Sequence, residues 1–396
     1  MLKKICFILL LINYSLLYSQ EQEETQLDST MLNKDPLIKI NKEGSITKGL
    51  KMIAHVRFAL NNNFEEGNFV NSQFRANDTR MEIIGKVSEK IKVRFRDVYS
   101  RSAGDATTVD LLRRSIDLTY VEYEVNEKLD LVAGKMFGEF GGYEIFHNPI
   151  TMVVYNDWIN NGDIFLSGIK TNYHMNPNHR LSFQIVNSSS RSFENNYATT
   201  PDAKASKIPF AYTINWNGNF VNKTISTKWS YSNFTVLDGA HSNILVIGNQ
   251  FKKNNLTLQY DFKYIKEDID RTSIISALVG NEFTNRVKKT IYVEHWLRGE
   301  YFFTPNISII ALGMVSSSYW PGNPDTSNLK SNLIRNSWTY TSSLEYYLNR
   351  QHNIKLFLSY VSKNNKISEY AKNQFNLSNN NTGQILFGVM SHFHLF

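Results

Sequence analysis

The sequence predicts an all-β protein, a single closed antiparallel transmembrane β-barrel of about sixteen strands. The first reason is alternation of apolar and polar residues with a period of two, which is unbroken in residues 256–264 and recurs nearly end to end. The second is that short turns and long polar loops join these segments in alternation. Alternation gives each strand one apolar and one polar face. In a transmembrane barrel these faces meet lipid and an aqueous lumen.

Sixteen segments show this pattern, and the first is typical. In residues 50–60 every even-numbered side chain is apolar, whereas Lys51, His55 and Arg57 lie on the opposite face. An even strand count places both ends of the barrel on the periplasmic side. The predicted strands are residues 50–60, 80–87, 91–99, 111–125, 129–136, 163–174, 180–187, 209–216, 223–236, 243–251, 256–265, 290–303, 307–316, 334–348, 354–361 and 383–396.

The connections are predicted to be sorted by length between the two ends of the barrel. Short turns such as 126–128 and 217–219 lie on one side, and long polar loops on the other. The predicted long loops include residues 61–72, 101–110, 188–207, 266–288, 317–333 and 362–382, and another follows the fifth strand. A soluble secreted sandwich also alternates but does not sort its loops in this way, and it is the alternative fold.

Aromatic residues near the predicted strand ends favour the membrane barrel, because such residues form girdles at membrane interfaces. High β-propensity alone is the alternative explanation. The residues are Tyr212, Trp216, Trp229, Tyr231, Tyr301, Phe302, Trp338 and Tyr346.

The N-terminus has the features of a secretory signal over residues 1–19. Two lysines precede an apolar stretch, and Ser19 supplies a small residue for cleavage. The only cysteine, Cys6, lies inside this signal, so the exported chain has no disulfide or thiol ligand. We expect residues 20–49 to form a periplasmic N-terminal segment and residues 50–396 to form the barrel.

Charge and hydropathy are compatible with this assignment. The formal net charge of +7 falls to +5 without the signal, because residues 1–19 hold two lysines and no acid. This excess is too small to indicate a nucleic-acid partner. A mean hydropathy of −0.35 suits a barrel, in which every second strand residue faces water. The predicted surroundings are therefore the lipid of a Gram-negative outer membrane.

Basic residues mark one face of the third predicted strand. Lys90, Lys92, Arg94 and Arg96 alternate with apolar residues, and an arginine or lysine facing lipid costs about 2–4 kcal/mol at the midplane. The basic face is therefore predicted to line the lumen and to favour small anions. The alternative is a lining of mixed sign. Neighbouring strands are predicted to add Lys51, Arg57, Arg80, Lys86, Lys228 and Lys263 to this lining.

The end of the fifth strand carries a glycine-rich motif over residues 134–144. Together with residues 111–131 it resembles the phosphate-selective porin O and P family. The resemblance implies a trimeric sixteen-stranded barrel that passes anions, with this third long loop folded into the lumen as a constriction. The predicted constriction residues are Phe137, Gly138, Glu139, Phe140, Gly141, Gly142, Tyr143 and Glu144.

The motif departs from the family pattern, which commonly has a lysine and a proline where Phe137 and Glu139 stand. This change favours a general porin over a phosphate-specific one. The last residue, Phe396, resembles the terminal aromatic read by the outer-membrane assembly machinery, although His392 and His394 stand at positions usually hydrophobic. A two-histidine metal site here is disfavoured because no carboxylate lies nearby in the sequence.

An outer-membrane barrel enzyme of the phospholipase type, and a specialised uptake or export barrel, are the alternative functions. Residues 241–243, His-Ser-Asn, contain the residue types of a hydrolase, but neighbours in sequence do not make a triad. No nucleophile elbow, zinc-protease helix or phosphate-binding loop is present in the sequence. We therefore assign no catalytic, cofactor-binding or metal-binding residue.

Overall fold

The computed structural model describes residues 49–100, 109–198, 200–280, 285–322 and 332–395. Its strands form one closed antiparallel barrel in which each strand pairs with its chain neighbours and β16 pairs with β1. The strands are β1 Leu50–Glu65, β2 Asn68–Lys86, β3 Ile91–Val98, β4 Ile116–Asn126, β5 Leu129–Phe137, β6 Phe165–Asn176, β7 His179–Asn187, β8 Phe210–Phe220, β9 Ile225–Leu237, β10 Ala240–Lys253, β11 Leu256–Ile269, β12 Lys288–Thr304, β13 Ile307–Tyr319, β14 Leu333–Asn349, β15 Ile354–Ile367 and β16 Asn380–His394.

The predicted fold class is confirmed, and each predicted strand coincides with one observed strand. Several boundaries were wrong, among them those at residues 61–72, at residues 217–219 and at the start of β4. Residues 61–72 are not a long loop, because β1 and β2 continue as a hairpin to a turn at 66–67. Residues 217–219 belong to β8, and the turn lies at 221–224. β4 begins at Ile116 rather than at residue 111.

The sorting of connections by length was only partly right. The long connections lie on one side, but the turns at 66–67 and 238–239 lie there too and are short. The signal peptide, nearly all of residues 20–49, most of loop 101–110 and the terminal Phe396 lie outside the described residues.

The two faces of the wall differ as alternation requires. Outward side chains such as Val121, Leu131 and Ile169 are large, apolar and exposed, whereas polar groups such as Asn172, Asn215 and Ser232 are buried on the inward face. Six of the eight predicted girdle aromatics are among the exposed side chains, namely Tyr212, Trp229, Tyr231, Tyr301, Trp338 and Tyr346.

Short helices lie in the long connections. They are α1 Tyr143–Phe146, α2 Asp157–Asn161, α3 Phe193–Tyr197, α4 Ile274–Leu278 and α5 Glu369–Phe375, with a 3-10 turn at Pro149–Thr151. Within the described ranges, no helix has the length and apolar character needed to cross a membrane.

The inward face is not uniformly polar, contrary to the expectation of a wholly hydrophilic lining. Inward residues of β9 to β11, including Phe234, Ile244 and Ile265, pack with Phe140 and Trp158 of the β5–β6 connection in one apolar cluster. A long loop inside a barrel must cover its own apolar side chains. That requirement explains apolar residues on a wall that otherwise faces water.

Candidate permeation site: the lumen loop and its anchors

The connection between β5 and β6, residues 138–164, runs across the inside of the barrel. Its side chains and backbone contact β1, β11 and β14. β14 lies about opposite β5 and β6 in the ring of sixteen strands, so only a chain passing through the lumen reaches it. We call residues 138–164 the lumen loop.

The first anchor holds the start of the lumen loop to β6, β7 and β8. The Glu139 carboxylate lies 2.8 Å from Lys170 Nζ. The Glu139 N–H donates to Gln184 Oε1, and its carbonyl accepts from Asn215 Nδ2, both at 2.8 Å. Burial alone would raise the pKa of this carboxyl, but the charges of Lys170, Arg180 and Lys228 outweigh burial and hold it below its ordinary value. Glu139 is therefore a fixed anion.

The second anchor is a carboxylate from the wall that receives the start of α1. The N–H groups of Tyr143 and Glu144 donate to the two oxygens of Asp261 on β11, at 2.9 and 2.7 Å. Glycines make this approach possible. A Cβ on Gly142 would lie 2.3 Å from Asp261 Oδ1, and one on Gly248 would lie 2.7 Å from the same atom. Gly142 of the predicted motif thus allows close contact between the loop and the wall.

Glu144 continues this anchor into a buried ion network. Its carboxylate pairs with Lys263 on β11, and Lys263 Nζ lies 3.2 Å from Glu294 Oε2 on β12. The N–H of Asn156 donates to Glu144 at 2.6 Å, and the N–H of Trp158 donates to Glu294 at 2.8 Å. Burial raises the pKa of Glu144 despite the neighbouring lysine.

The third anchor lies on the opposite wall. Arg57 on β1 points its Nη1 at the carbonyl oxygens of Ile150 and Met152, at 3.0 and 2.7 Å, with that of Pro149 at 3.5 Å. A guanidinium is a fork of donors that suits several acceptors at once. Arg57 was predicted to line the lumen, and its donors are directed at the loop backbone.

The fourth anchor joins α2 to β14 and β15. Asp157 Oδ2 accepts from Arg335 Nη2 at 2.5 Å, and Asp157 Oδ1 pairs with Lys363. Asp157 is buried, whereas Arg335 and Lys363 are partly buried. With anchors on several sides of the ring, the path of the lumen loop is determined by the wall.

The basic face of β3 is matched by carboxylates. Arg94 pairs with Glu82 on β2, and Arg96 makes two bonds to Asp117, at 2.8 and 3.0 Å. Asp117 sits at an irregularity in the β3–β4 register, which places an extra residue opposite Arg96 and Asp97. Lys92 Nζ lies 3.5 Å from Glu122.

The remaining predicted basic residues have varied positions. Arg80 bonds Asp78 and Asp117 and is buried. Lys51 is half-buried on the inward side of β1. Lys86 and Lys90 are exposed at the end of the barrel where β2 turns into β3, and Lys90 lies in that turn rather than in the strand.

A group of three cations surrounds the start of the lumen loop. Arg180 on β7 and Lys228 on β9 lie in one cross-strand row, both paired with Asn217, and both act on Glu139 together with Lys170. Lys228 Nζ lies 4.2 Å from the centre of the Phe146 ring. Among the described residues, neither Arg180 nor Lys228 has a carboxylate within 4.0 Å. We call Lys170, Arg180 and Lys228 the cationic cluster.

Sequence reasoning found Lys228 but missed Lys170 and Arg180. Each occupies an inward position of an alternating strand, in residues 165–176 and 179–187. That alternation was the available signal. Their proximity to Glu139 depends on the path of the lumen loop, which no local pattern encodes.

The predicted constriction residues lie where the loop begins, with one exception. Phe137 is the last residue of β5, its ring 4.7 Å from that of Phe165 and 5.3 Å from the Arg96 guanidinium carbon. Gly138, Gly141 and Gly142 lie against side chains that a Cβ would meet at 2.3 Å or less. Phe140 packs in the apolar cluster beside Trp158 and Phe234.

A buried histidine lies further along the loop. His147 Nε2 is 2.7 Å from Gln259 Oε1, and its ring faces Trp296. Burial, together with the charge of Arg298, lowers the pKa of His147 to about 3. The ring is therefore neutral at the pH of most environments.

The residue types suggested for an enzyme are not brought together. His241 and Ser242 are consecutive residues of β10, so they point to opposite faces, with Ser242 fully buried and His241 exposed. Ser242 Oγ lies 3.3 Å from Glu267. In the part of the chain that is described, no group of three or more metal-ligating side chains has the geometry of a metal site.

Comparison with solved structures identifies outer-membrane barrels of the same fold. The outer-membrane channel DcaP of Acinetobacter baumannii is 12% identical with a TM-score of 0.59, covering 87% of this chain and 97% of that one. Salmonella typhi OmpF, in a complex with daunomycin, is 11% identical with a TM-score of 0.53 and covers 87% and 97%. The trimer form of Vibrio cholerae OmpT is 9% identical with a TM-score of 0.50 and covers 86% and 98%.

No curated protein sequence matches the chain at a significant level. The sequence model of a family described as phosphate-selective porin O and P matches residues 51–387, which includes nearly all of the barrel. The chain is thus an outer-membrane β-barrel protein of a Gram-negative bacterium. It belongs to the phosphate-selective porin O and P family.

Proposed function

We propose that this protein is a porin through which small hydrophilic solutes diffuse passively, with a preference for anions that comes from the cationic cluster. The single observation that carries the anion preference is the excess of positive charge there. The basic side chains of Lys170, Arg180 and Lys228 all act on one carboxylate, Glu139, at the point where the lumen loop enters the barrel, and Lys170 pairs with it directly. Clustered charge of one sign on a low-dielectric wall concentrates ions of the other sign.

The basic face of β3 contributes less to this preference than the sequence suggested. Each of Lys92, Arg94 and Arg96 has a carboxylate partner. A paired cation has little field at the distance of a passing ion, because its partner cancels it. The proposed selectivity site therefore lies on β6, β7 and β9.

Zero-current potentials across a planar bilayer in a KCl gradient test this assignment. The wild-type protein is expected to prefer chloride, and Arg180→Gln with Lys228→Gln is expected to shift the potential towards cations. The matched control is Arg96→Gln with Asp117→Asn, which removes a pair without changing net charge and is expected to leave the potential unchanged. An unchanged potential in the first variant refutes the assignment of selectivity to these residues.

Only the family description supports phosphate as the specific solute, and the Glu139 carboxylate in the site disfavours it. Competition measurements distinguish a phosphate-specific pore from a general anion pore. Phosphate at low concentration inhibits the chloride current of a phosphate-specific pore but not that of a general one. We propose the general pore.

We further propose a homotrimer in the outer-membrane lipid, supported by family membership and by the trimer form of OmpT. Cross-linking of the detergent-solubilised protein tests this assembly. Trimers are expected, and finding only monomers would refute the homotrimer. Removal of residues 1–19 on export and recognition of Phe396 by the assembly machinery remain proposals from the sequence.

A further inference from the structure

Two buried histidines face each other at the seam where the barrel closes. His55 on β1 and His392 on β16 are directly paired residues, and their Nδ1 atoms lie 2.8 Å apart. Both are buried, at 0% and 3% exposure. A hydrogen bond between two ring nitrogens needs one donor and one acceptor. The two Nδ1 atoms therefore hold one proton between them.

The other nitrogen of His55 is already committed. His55 Nε2 lies 2.9 Å from Glu82 Oε2, and an ionised carboxylate only accepts, so Nε2 carries a hydrogen. Glu82 in turn pairs with Arg94. The Nδ1 contact is lost only when both rings are protonated: each ring is then an imidazolium, both Nδ1 atoms are donors, and two like charges face each other.

The histidine pair is joined to the lumen loop. Asn148 Nδ2 lies 3.4 Å from His55 Nδ1, while Asn148 Oδ1 accepts the N–H of Ile150 at 3.1 Å. The Asn148 carbonyl also accepts the N–H of Thr151 at 2.9 Å. Arg57, the next inward residue of β1 after His55, holds carbonyls of the same turn. Displacement of the His55 ring therefore acts on residues 148–152.

The surroundings do not neutralise a doubly charged pair. Three arginines, one lysine and three carboxylates lie around it, and each carboxylate already pairs with one of these cations. The titratable and charged groups near the pair are Arg57 on β1, Asp78, Arg80 and Glu82 on β2, Arg94 on β3, Glu345 on β14, Lys355 on β15, His394 on β16 and Tyr155 of the lumen loop.

We propose that His55 and His392 form a proton-operated latch for the lumen loop: acidification protonates both rings, separates them and releases the turn at residues 148–152. Imidazole is the side chain whose ordinary titration falls between about pH 5 and pH 8. The latch extends the proposed porin function, since the loop it releases crosses the lumen.

Current recordings at about pH 7.5 and about pH 5 test the latch. The wild-type protein is expected to show current interruptions several-fold more often at the lower pH. His392→Gln retains a hydrogen-bonding side chain without a titrating group, and its current is expected to be independent of pH in this range. His174→Gln is the control, because His174 pairs with Asp130 at the periplasmic end of β6 and is expected to leave the wild-type response intact. A pH response retained in His392→Gln overturns the latch.

A second readout does not depend on conduction. Val153→Cys places a thiol next to the latched turn, and its labelling rate by a maleimide is compared with and without His392→Gln. Comparing the two rates at the same pH removes the effect of pH on the reactivity of the thiol itself. We expect a ratio near one at about pH 7.5 and several-fold faster labelling with His392 present at about pH 5. A ratio near one at both pH values overturns the latch. If labelling shows the expected ratio but the protein conducts no current, the porin function is refuted and the latch is not.

Discussion

Replacing Gly142 with alanine tests whether the wall determines the path of the lumen loop. The added Cβ would lie 2.3 Å from Asp261 Oδ1 and 2.4 Å from its Cγ. The carboxylate cannot simply turn away, because it accepts the N–H groups of Tyr143 and Glu144. Overpacking a tight contact costs about 1–3 kcal/mol. Leaving a buried N–H without an acceptor costs about 1–3 kcal/mol more.

We therefore expect Gly142→Ala to lower the free energy of unfolding by at least about 2 kcal/mol, the sum of the lower limits of these two costs. Denaturant unfolding of the protein folded in lipid vesicles measures this change. Gly313→Ala on β13 is the matched control, because its Cβ would meet no atom within 4 Å. Equal stability of the two variants would refute the close contact between the loop and β11.

Three further predictions concern the third anchor, the fourth anchor and the buried histidine of the lumen loop. Arg57→Met leaves the carbonyls of Ile150 and Met152 without a donor and is expected to cost about 1–3 kcal/mol by the same unfolding assay; an unchanged stability contradicts the third anchor. Asp157→Asn leaves Arg335 and Lys363 facing an uncharged partner and is expected to increase the noise of the open current, which a quiet record would contradict. His147 has a pKa of about 3 against an ordinary 6.5, so below pH 6.5 the unfolded chain binds a proton that the folded protein does not. The stability that the neutral ring contributes is therefore complete above pH 6.5 and is lost as the pH falls towards 3, at most about 1.4 kcal/mol per pH unit. His147→Gln is expected to reduce this loss, and a pH profile of stability identical to that of the wild type would contradict the prediction.

Much of the wall was predictable from the sequence because alternation is a local property. Residues 256–264 alternate strictly, and they lie within β11. The pattern is less informative where polar residues occupy both faces. Residues 61–72 contain five asparagines and a serine, a composition typical of a loop, yet the pairing of β1 with β2 and with β16 continues through this segment. Backbone hydrogen bonding to a neighbouring strand prevails there over composition.

The candidate site was less predictable because it depends on contacts between residues far apart in sequence. Arg96 was correctly placed on the inward face, but its partner Asp117 is brought to it by an irregularity in register. The role of Arg57 depends on the lumen loop passing β1. No carboxylate lies near His392 in the sequence, but in the structure His392 contacts His55, which in turn contacts Glu82.

The most direct test of channel function is single-channel recording of the purified wild-type protein in a planar bilayer. Protein shown to be folded by its heat-dependent migration in gels is expected to give discrete conductance steps, carried mainly by chloride. Folded protein that inserts into the bilayer and leaves its conductance at the background level would contradict the proposal that this barrel is a pore.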